Sequence, residues 1–300
     1  MSGNLKIGVV LQGSLHQYWK FVQAGAKKAV ADLAAANTRI DLVCKAPLRE
    51  DDRQEQKDIL ERLLQEVDGI VLAPFDSHFL VETVDRAAVK GIAFVVIDSF
   101  LESSSIVSFI ATDNKGGGAL AADRMGQLLD GGGKVLLMRY QKGVASTEAR
   151  EEGFADRIRV YPGIELLRSE GYAGVTRDAA KLAGEALLRK HANELRGVFT
   201  PNESSTAGML MALQSVQLAG KMRFVGFDAS ELYLDTMRYG KIHGLVVQNS
   251  FLMGELGVRT LADHLQGKAV QKRIDMQPVM VRPDNMDAPE IAKLLHLSRV

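Results

Sequence analysis

The chain has 300 residues, of which 46% are hydrophobic and 25% charged, so it has the composition of a soluble globular protein and the length for two domains. Lysine plus arginine and aspartate plus glutamate number 37 each, and this neutral balance gives no support to a nucleic-acid or anionic-membrane surface. No apolar run approaches the roughly 18 residues of a membrane span. No signal peptide is visible, so we expect either a cytoplasmic protein or one whose leader is absent from this sequence.

The predicted elements alternate between short β-rich runs and amphipathic helical stretches. Helical stretches such as RQEQKDILERLLQEV repeat their apolar residues at three- and four-residue spacing. Runs such as IVLA and FVVI are apolar without alternation, as buried parallel strands are. Repeated βα units of this kind predict an α/β fold with parallel sheets covered by helices on both faces. The predicted strands lie near 5–11, 40–44, 69–73, 93–97, 106–110, 134–138, 164–168, 197–200, 222–226, 243–247 and 278–281.

The chain also resembles itself. LAPFDS at 72–77 matches FTPNES at 199–204, and FVVIDS at 94–99 matches FVGFDAS at 224–230. The prolines are 127 positions apart (201 − 74) and the aspartates 130 (228 − 98). One such step from Leu11, the end of the first strand, reaches Met138, the end of KVLLM. The order and spacing of these matches predict two lobes of the same design.

The segments that follow the predicted strands carry most of the distinctive side chains. Open α/β sheets bind ligands beyond the carboxyl ends of their strands, so these segments are candidate site residues. They read QGSLHQYW, APFDS, IDSF, MRYQKG, TPNESS, GFDAS and VVQNS. The segments at the opposite strand ends, such as LDGGGK and VKGIA, look like plain turns.

Several kinds of chemistry lack the residues they need. The sequence holds no phosphate-binding loop, no dinucleotide fingerprint, no paired metal-ligand spacing and no nucleophile elbow, so we expect no cofactor, no metal and no enzymatic activity. The glycine runs at 116–118 and 131–133 are interpreted as a helix start and a turn. The one cysteine, Cys44, lies in an apolar run and is expected to be a buried structural thiol.

The strand-end residues do suit a neutral polyhydroxylated ligand. Aspartates can each accept from two hydroxyls, an arginine fork can donate to two neighbouring oxygens, and amides can do both. Flat aromatics can cover the apolar faces of a pyranose. The candidates are Gln12, Ser14, His16, Tyr18, Trp19, Asp98, Ser99, Arg150, Tyr172, Asn202, Phe227, Asp228 and Gln248.

Structural roles compete with the binding role at several of these positions. The two aspartates Asp98 and Asp228, like Asn202, could cap helices that follow strands. Arg150 could form a surface ion pair with its glutamate neighbours, and Trp19 could belong to the core.

The combination of motifs resembles the type I periplasmic binding proteins, closest to the ribose-binding-like, monosaccharide-binding components of bacterial ABC transporters. The motifs cover nearly the whole chain: VVIDS at 95–99, FIATDN at 109–114, AREEGF at 149–154, VFTPNESSTAGMLMALQ at 198–214, VGFDAS at 225–230 and LVVQ at 245–248. The resemblance implies two Rossmann-like lobes with parallel sheets, joined by three hinge crossovers and closing on one sugar. It divides the chain into a lobe of 1–112 plus 249–277 and a lobe of 113–248 plus 278–300, with the ligand cleft between them.

Carried over position by position, the resemblance assigns a role to each main candidate. Tyr18 and Trp19 fall where the family stacks aromatics on the sugar ring, and Asp98 matches the acid after the fourth strand. Asp113 falls at the first crossover. The remaining matches are Arg150, three residues before Gly-Phe, Asn202, the Phe227-Asp228 pair and the hinge glutamine Gln248.

Three departures argue against ribose itself. Ser99 stands where ribose binders carry arginine, and His16 stands where asparagine is common, in a loop about one residue longer. Tyr172 is offset from the expected aromatic position, which Val175 occupies. These changes leave room for a hexose, another pentose or a polyol.

The resemblance implies an extracytoplasmic, monomeric solute-binding protein that closes on a monosaccharide or polyol and delivers it to a membrane ABC permease. A second hypothesis is the effector domain of a LacI-like transcriptional regulator, which shares the fold. That hypothesis requires an N-terminal helix-turn-helix, and none precedes Leu5 in this sequence. Partners would then be a small-molecule sugar and a permease, with no nucleic acid.

Overall fold

The computed structural model describes residues 4–297 and divides the chain into two compact units. The first unit contains the chain up to Thr112 together with Asn249–Met276. The second unit contains Asp113–Gln248 and the chain from Gln277 onward. The chain therefore passes from one unit to the other three times. The boundary expected after 277 lies one residue earlier, because Gln277 belongs to the second unit.

Strands and helices alternate through all three segments. Up to Thr112 they are β1 Leu5–Val10, α1 Gln17–Ala35, β2 Ile40–Lys45, α2 Arg53–Leu63, β3 Gly69–Leu72, α3 Val81–Val89, β4 Ala93–Ile97 and β5 Ser108–Thr112. Up to Gln248 they are α4 Asn114–Leu128, β6 Gly132–Arg139, α5 Ala145–Arg157, β7 Gly163–Tyr172, α6 Arg177–His191, β8 Leu195–Phe199, α7 Glu203–Ser215, β9 Arg223–Phe227, α8 Glu231–Arg238 and β10 Gly244–Val247. The remainder are α9 Ser250–Leu265, β11 Arg273–Met276, β12 Val279–Val281 and α10 Pro289–Leu297. A 3₁₀ turn, Ile158–Val160, follows α5.

Each unit is built on one six-stranded sheet, and the two sheets have the same design. The strand order is β11-β5-β4-β3-β1-β2 in the first unit and β12-β10-β9-β8-β6-β7 in the second. Strands β1–β5 and β6–β10 occupy corresponding places, as the internal repeat predicts. All pairings are parallel except β10 with β12, which is antiparallel. The predicted α/β fold is confirmed, whereas β11 is a strand that the sequence interpretation missed.

The central strands are apolar because both of their faces are covered. Every residue of β3, β4, β5 and β10 is buried. The two faces of the first sheet pack into separate apolar clusters, one with α1 and α9 and one with α2 and α3. The second sheet does the same, with α4 and α5 on one face and α6, α7 and α8 on the other. This sandwiching leaves the strand ends as the place where polar side chains can gather.

Glycines set the closest helix contacts in both units. A Cβ on Gly118 of α4 would lie 2.0 Å from the backbone oxygen of Arg150 on α5, so α5 approaches α4 only because this position has no side chain. In the first unit, a Cβ on Gly25 of α1 would lie 1.8 Å from the oxygen of Phe251 on α9. The Gly118 contact fixes the backbone that carries Arg150.

Candidate functional site

Two aspartates follow corresponding strands in the two units and share an unusual backbone conformation. Asp98 follows β4 and Asp228 follows β9, and both have a φ of 67°, in the left-handed region that non-glycine residues rarely adopt. Each donates its backbone N–H to the next strand, Asp98 to Ile110 at 2.9 Å and Asp228 to Val246 at 2.8 Å. The helix-cap interpretation is wrong for both aspartates, because β5 is the element after β4 and Ser230 caps α8.

In the first unit, Asp98 accepts hydrogen bonds from two strand-end neighbours. The Tyr18 hydroxyl donates to Oδ1 at 2.7 Å, and Gln12 Nε2 lies 3.5 Å from Oδ2. Gln12 also donates to the carbonyl of Pro74 at 2.8 Å. Because Gln12 follows β1 and Tyr18 lies in the first turn of α1, the β1–α1 connection aims both groups at the carboxylate. Three of the predicted site residues are therefore brought together.

His16 and Trp19 meet on a carboxylate that the sequence interpretation missed. Glu50, in the connection from β2 to α2, accepts from Trp19 Nε1 at 2.5 Å, and the same oxygen lies 2.8 Å from His16 Nδ1. Trp19 is 3% exposed, packs in the apolar cluster of the first sheet and meets the Tyr18 ring edge to face. The indole is thus a core group with one hydrogen bond, from Nε1 to Glu50. Its stacking on a sugar stays a prediction.

The remaining predicted positions of the first unit differ in exposure. Ser14 is exposed in the β1–α1 connection, and Ser99 is fully buried directly after Asp98. A further missed residue, Gln56 of α2, donates to the carbonyls of Leu11 and Ala73 and accepts from the N–H of Phe75. This buried amide ties the ends of β1 and β3 together and so holds the strand-end edge rigid.

In the second unit, the predicted residues form a continuous hydrogen-bonded chain. Gln248 Nε2 donates to Asp228 Oδ1 at 2.7 Å, and Arg150 Nη2 donates to Gln248 Oε1 at 2.8 Å. Arg150 also donates through Nε to Asn114 at 2.7 Å and through Nη1 to the carbonyl of Pro201 at 3.0 Å. Arg150 is 3% exposed, so the surface ion-pair interpretation is wrong.

The ring of Phe227 packs against the Arg150 guanidinium of this hydrogen-bonded chain. Its side chain is fully buried in the cluster between the second sheet and α4 and α5. The guanidinium carbon of Arg150 lies 4.1 Å from the centre of the Phe227 ring, a stacking distance for an arginine on an aromatic. The structure therefore gives Phe227 a contact that positions Arg150, and its direct contact with a sugar stays a prediction.

Two of the polar residues at helix starts act as caps. Asn202 Oδ1 accepts from the N–H of Ser205, and Ser205 in return accepts from the N–H of Asn202, which makes a capping box at the start of α7. Asp113 caps α4 by accepting from the N–H of Gly116 at 2.9 Å. The expected capping role of the 113–118 segment is confirmed, and Asn202 has the structural role that its sequence also allowed.

Tyr172 ends β7 and pairs with a residue that the sequence interpretation did not single out. Arg139, the last residue of β6, donates to the Tyr172 hydroxyl at 2.7 Å and stacks on its ring at 4.3 Å. The Nε of Arg139 lies 3.2 Å from Glu151, a buried carboxylate whose pKa is raised by burial and held back by Arg139 and the N–H of Tyr140. A signal for Arg139 existed, since it is the repeat partner of Gln12 at the 127-residue step (139 − 12).

The side chains at the strand ends are polar groups that are held by hydrogen bonds within the protein. Within the side chains that the structure describes, no three His, Cys, Asp or Glu groups are placed to hold a metal ion. Among the described helices, none is both long and apolar enough to cross a bilayer. What the strand ends do offer is carboxylates, amides and a guanidinium fixed by their own hydrogen bonds, which is the preorganisation that a hydroxyl-rich ligand needs.

The comparison with known families decides the assignment. A family profile described as the periplasmic binding protein domain matches residues 7–269. The chain belongs to this family. It is 28% identical over 228 residues to the ribose import binding protein of Bacillus subtilis, covering 75% of this chain and 72% of that protein.

Two solved structures of solute-binding proteins extend the likeness over almost the full length. One, from Agrobacterium radiobacter in complex with D-arabinose, is 29% identical, with a TM-score of 0.91 and coverage of 98% of this chain and 99% of that one. Another, from Agrobacterium vitis with bound D-fucose, is 32% identical, with a TM-score of 0.89 and coverage of 96% and 98%. The periplasmic binding protein fold therefore accounts for the duplicated sheets and the three chain passages.

Proposed function

We propose that this protein is an extracytoplasmic solute-binding protein that takes up a monosaccharide or polyol and delivers it to an ABC permease. The proposal has two supports. The relatives and neighbours reported above are named for ribose import or were solved with D-arabinose or D-fucose. The strand-end residues of this chain carry the donors and acceptors that such ligands require.

The observation that carries the proposal is the matched pair of left-handed aspartates. A non-glycine residue in this region costs about 1–3 kcal/mol, and such strain persists where the surrounding structure holds it for a purpose. Here it occurs at corresponding strand ends of both units, where Asp98 and Asp228 are each held by an amide or hydroxyl neighbour. A carboxylate fixed in this way can accept from two sugar hydroxyls without reorganising.

The proposed division of work follows the two networks. Asp98, Gln12, His16 and Tyr18 of the first unit bind one side of the ligand. Asp228, Gln248, Arg150 and Asn202 of the second unit bind the other side. A ligand that contacts both units favours the conformation in which both sets reach it, so binding shifts the hinge equilibrium towards closure.

The class of ligand follows from charge and from the departures noted in the sequence. Arg150 uses three of its five N–H donors within the protein, and its charge belongs to one hydrogen-bonded chain with the carboxylate of Asp228, so these strand-end residues present no net positive charge for a phosphate or a carboxylate. Ser99 replaces the second fork donor that ribose binders carry. We therefore propose a neutral hexose, a pentose other than ribose, or a polyol.

The affinity expected of such a site is micromolar. A micromolar Kd corresponds to about −8 kcal/mol, to which about ten hydrogen bonds at a net ~1 kcal/mol each contribute against the costs of closure and immobilisation. We further propose that the protein acts as a monomer with no nucleic-acid partner, in keeping with its neutral composition.

The test is a thermal-shift screen over pentoses, hexoses and polyols, followed by calorimetric titration of each hit. A ligand at 100 times its Kd stabilises the folded state by about 2.7 kcal/mol, which gives a clear rise in Tm. Failure of every sugar and polyol to shift the Tm would refute the proposed ligand class.

The site assignment is tested with Asp98→Asn and Asp228→Asn, because asparagine tolerates the left-handed region and keeps a neutral acceptor. Loss of a charge-assisted hydrogen bond should weaken binding by about 10- to 100-fold in each variant, with little change in Tm. Asp130→Asn is the matched control, since Asp130 also has positive φ but lies in an exposed turn before β6. Equal affinity in all three variants would remove the aspartates from the site.

A further inference from the structure

A cluster of basic side chains lies where the parallel strands β9 and β10 begin, at the opposite strand ends from the proposed sugar residues. Arg223 is the first residue of β9, whereas Asp228 directly follows its last. His243 immediately precedes β10, and Arg282 immediately follows β12, which runs antiparallel to β10. Arg124 reaches the same place from α4, where Nε donates to the carbonyl of His243 at 2.9 Å. These four residues are called the distal basic cluster.

The strand register explains why three arginines converge here. Leu245 of β10 pairs with Val281 of β12, so Arg282 lies beside Gly244. A Cβ on Gly244 would be 3.0 Å from Cγ of Arg124, so the glycine lets the Arg124 side chain lie against the strand. Arg124 is partly buried, and its pKa is lowered by burial and by the charges of Arg282 and Arg223. The charges of Arg282 and Arg223 therefore oppose that of Arg124, and Asp284 offsets part of this repulsion.

The hydrogen bonds of His243 show that this edge has donors in excess. Its Nδ1 accepts from the backbone N–H of Phe224 at 3.1 Å, so the neutral ring carries its proton on Nε2. Nε2 lies 3.2 Å from Nη1 of Arg223, which places two donors face to face. Burial and the neighbouring arginines lower the pKa of His243 to about 4, so the ring is neutral at neutral pH and can accept at only one of its two nitrogens.

A second donor points to the same conclusion. Nε of Arg282 is buried and makes no hydrogen bond within the part of the chain that the structure describes. Among the described residues, the acid that pairs with this arginine is Asp284, 3.1 Å from Nη2, and its side chain is 67% exposed. Buried donors usually have acceptors, so an orphaned guanidinium N–H beside two further arginines points to an acceptor supplied from outside the chain.

We propose that the distal basic cluster binds a tetrahedral oxyanion of the phosphate or sulfate class, either free in solution or as the headgroup of an anionic lipid. One anion oxygen can accept from both His243 Nε2 and Arg223 Nη1, which removes the contact between two donors. The negative charge offsets the repulsion among Arg124, Arg223 and Arg282, and guanidinium groups bind such oxyanions through paired N–H donors. The site is separate from the sugar residues and independent of the proposed transport function.

The first experiment is calorimetric titration of the full chain with inorganic phosphate at constant ionic strength, with NMR detection of the His243 ring. We expect saturable one-to-one binding, with His243 resonances that follow the same curve. Arg223→Gln and Arg282→Gln should each weaken binding by about tenfold or more, because each removes a charge-assisted donor. Arg159→Gln is the control, since Arg159 is an exposed arginine of the same unit that faces a single acid at 3.6 Å.

A second arm distinguishes the two sources of the anion. Phosphatidylcholine vesicles with and without phosphatidylglycerol are mixed with the protein at the same salt concentration, and co-sedimentation is measured. Binding of phosphate alone supports a free-anion site, and retention on the phosphatidylglycerol vesicles that Arg223→Gln abolishes supports a headgroup site. The proposal is overturned if neither probe binds, or if Arg159→Gln weakens binding as much as the cluster variants do. Arg223 is exposed, so its variant tests the site even if Arg282→Gln fails to fold.

Discussion

The two units place an aspartate at the same strand end in the same backbone conformation, yet they hold it by different means. In the first unit, Asp98 accepts from a phenol and an amide, and a second carboxylate, Glu50, lies under His16 and Trp19. In the second unit, Asp228 accepts from Gln248, which is itself fixed by Arg150 stacked on Phe227. The backbone design is common to both, and the side-chain chemistry is not.

This difference indicates what each unit contributes. Arg150 makes three hydrogen bonds to separate partners, so its loss would leave several polar groups unsatisfied, and we propose that the second unit holds the more rigid part of the site. In the first unit, Tyr18 and His16 both lie where the β1–α1 connection enters α1, so we propose that ligand preference is more easily altered there.

The largest effect is expected from Gly118→Ala. The new Cβ would lie 2.0 Å from the Arg150 oxygen, so α5 has to move, at a cost of about 3 kcal/mol or more in the free energy of unfolding. Because Arg150 moves with α5, sugar affinity should also fall. Denaturant unfolding and calorimetric titration measure the two losses.

Gly25→Ala creates a clash of the same kind between α1 and α9 of the first unit. It meets the Phe251 oxygen on α9 and should cost similar stability, but neither residue carries a proposed ligand contact. Gly171→Ala is the neutral control, since a Cβ there meets nothing within 4 Å. Unchanged sugar affinity in Gly118→Ala would mean that the position of α5 does not affect sugar binding.

The next effect is a pH dependence specific to the second unit. His243 donates its backbone N–H to the carbonyl of Phe224, as Val107 donates to that of Phe94 in the first unit. The two units thus share this backbone hydrogen bond, and only the second has a histidine side chain at this position. Its pKa is about 4 in the folded protein and about 6.5 unfolded, so the unfolded chain binds the proton first. Stability is fully present above pH 6.5 and is lost as the pH falls to about 4, by up to roughly 3 kcal/mol.

Unfolding curves across this pH range, compared between the wild type and His243→Asn, measure that contribution. Asparagine can still accept from the N–H of Phe224 but cannot titrate, so the slope between pH 4 and 6.5 should diminish. His78→Asn, at an exposed first-unit position, controls for the loss of an imidazole. Identical slopes for the wild type and His243→Asn would refute the prediction.

A smaller loss is expected from Glu50→Ala. Removing this carboxylate leaves the buried indole N–H of Trp19 without its acceptor, at about 1–3 kcal/mol in stability, and releases His16. Glu50→Gln keeps one acceptor oxygen and should recover much of the stability. If His16 contacts the ligand, both variants alter sugar preference in the thermal-shift screen, whereas Asp51→Ala next to it should not.

The smallest effect is expected from Tyr18→Phe. It removes one hydroxyl donor to Asp98 and keeps the ring against Trp19, so stability should fall by about 1 kcal/mol. Sugar affinity should change less than in Gln248→Ala, which breaks both the Asp228 and Arg150 contacts. The opposite ranking would mean that the first unit, and not the second, holds the more rigid site.

Periodicity and the internal repeat were sufficient to predict the sheets. The strands from β1 to β10 are visible in the sequence because buried parallel strands need continuous apolar runs. The internal repeat likewise shows that Asp98 and Asp228 occupy equivalent positions. Strand β11 was missed because RIDM lies at the sheet edge, where only Met276 is buried and the charged residues face solvent. The other edge strands, β2, β7 and β12, were predicted, so it is the short polar composition of β11 in particular that hid it.

The site residues that were missed had no distinctive local pattern. Glu50, Asp51 and Asp52 are three consecutive acids, yet Asp52 caps α2, Asp51 pairs with Arg49 and only Glu50 points inward. Phe227 and Trp19 were predicted as ligand residues because flat aromatics can cover a sugar ring; the structure packs both in apolar clusters, and their contact with a ligand stays a prediction. Which member of a run faces inward depends on how the chain enters the next helix, and composition does not encode that.

The three passages of the chain between the units also determine the order in which the protein can be completed. The first unit needs α9 and β11, which follow Gln248, to cover α1 and to pair with β5. Most of the second unit, from Asp113 to Gln248, is one continuous stretch that can collapse on its own contacts. The first unit therefore completes its core only through contacts between residues more than 200 positions apart, such as Gly25 with Phe251. Contacts between residues so distant in sequence slow folding. We therefore expect an intermediate in which the second unit is ordered and the apolar face of α1 is not yet covered by α9.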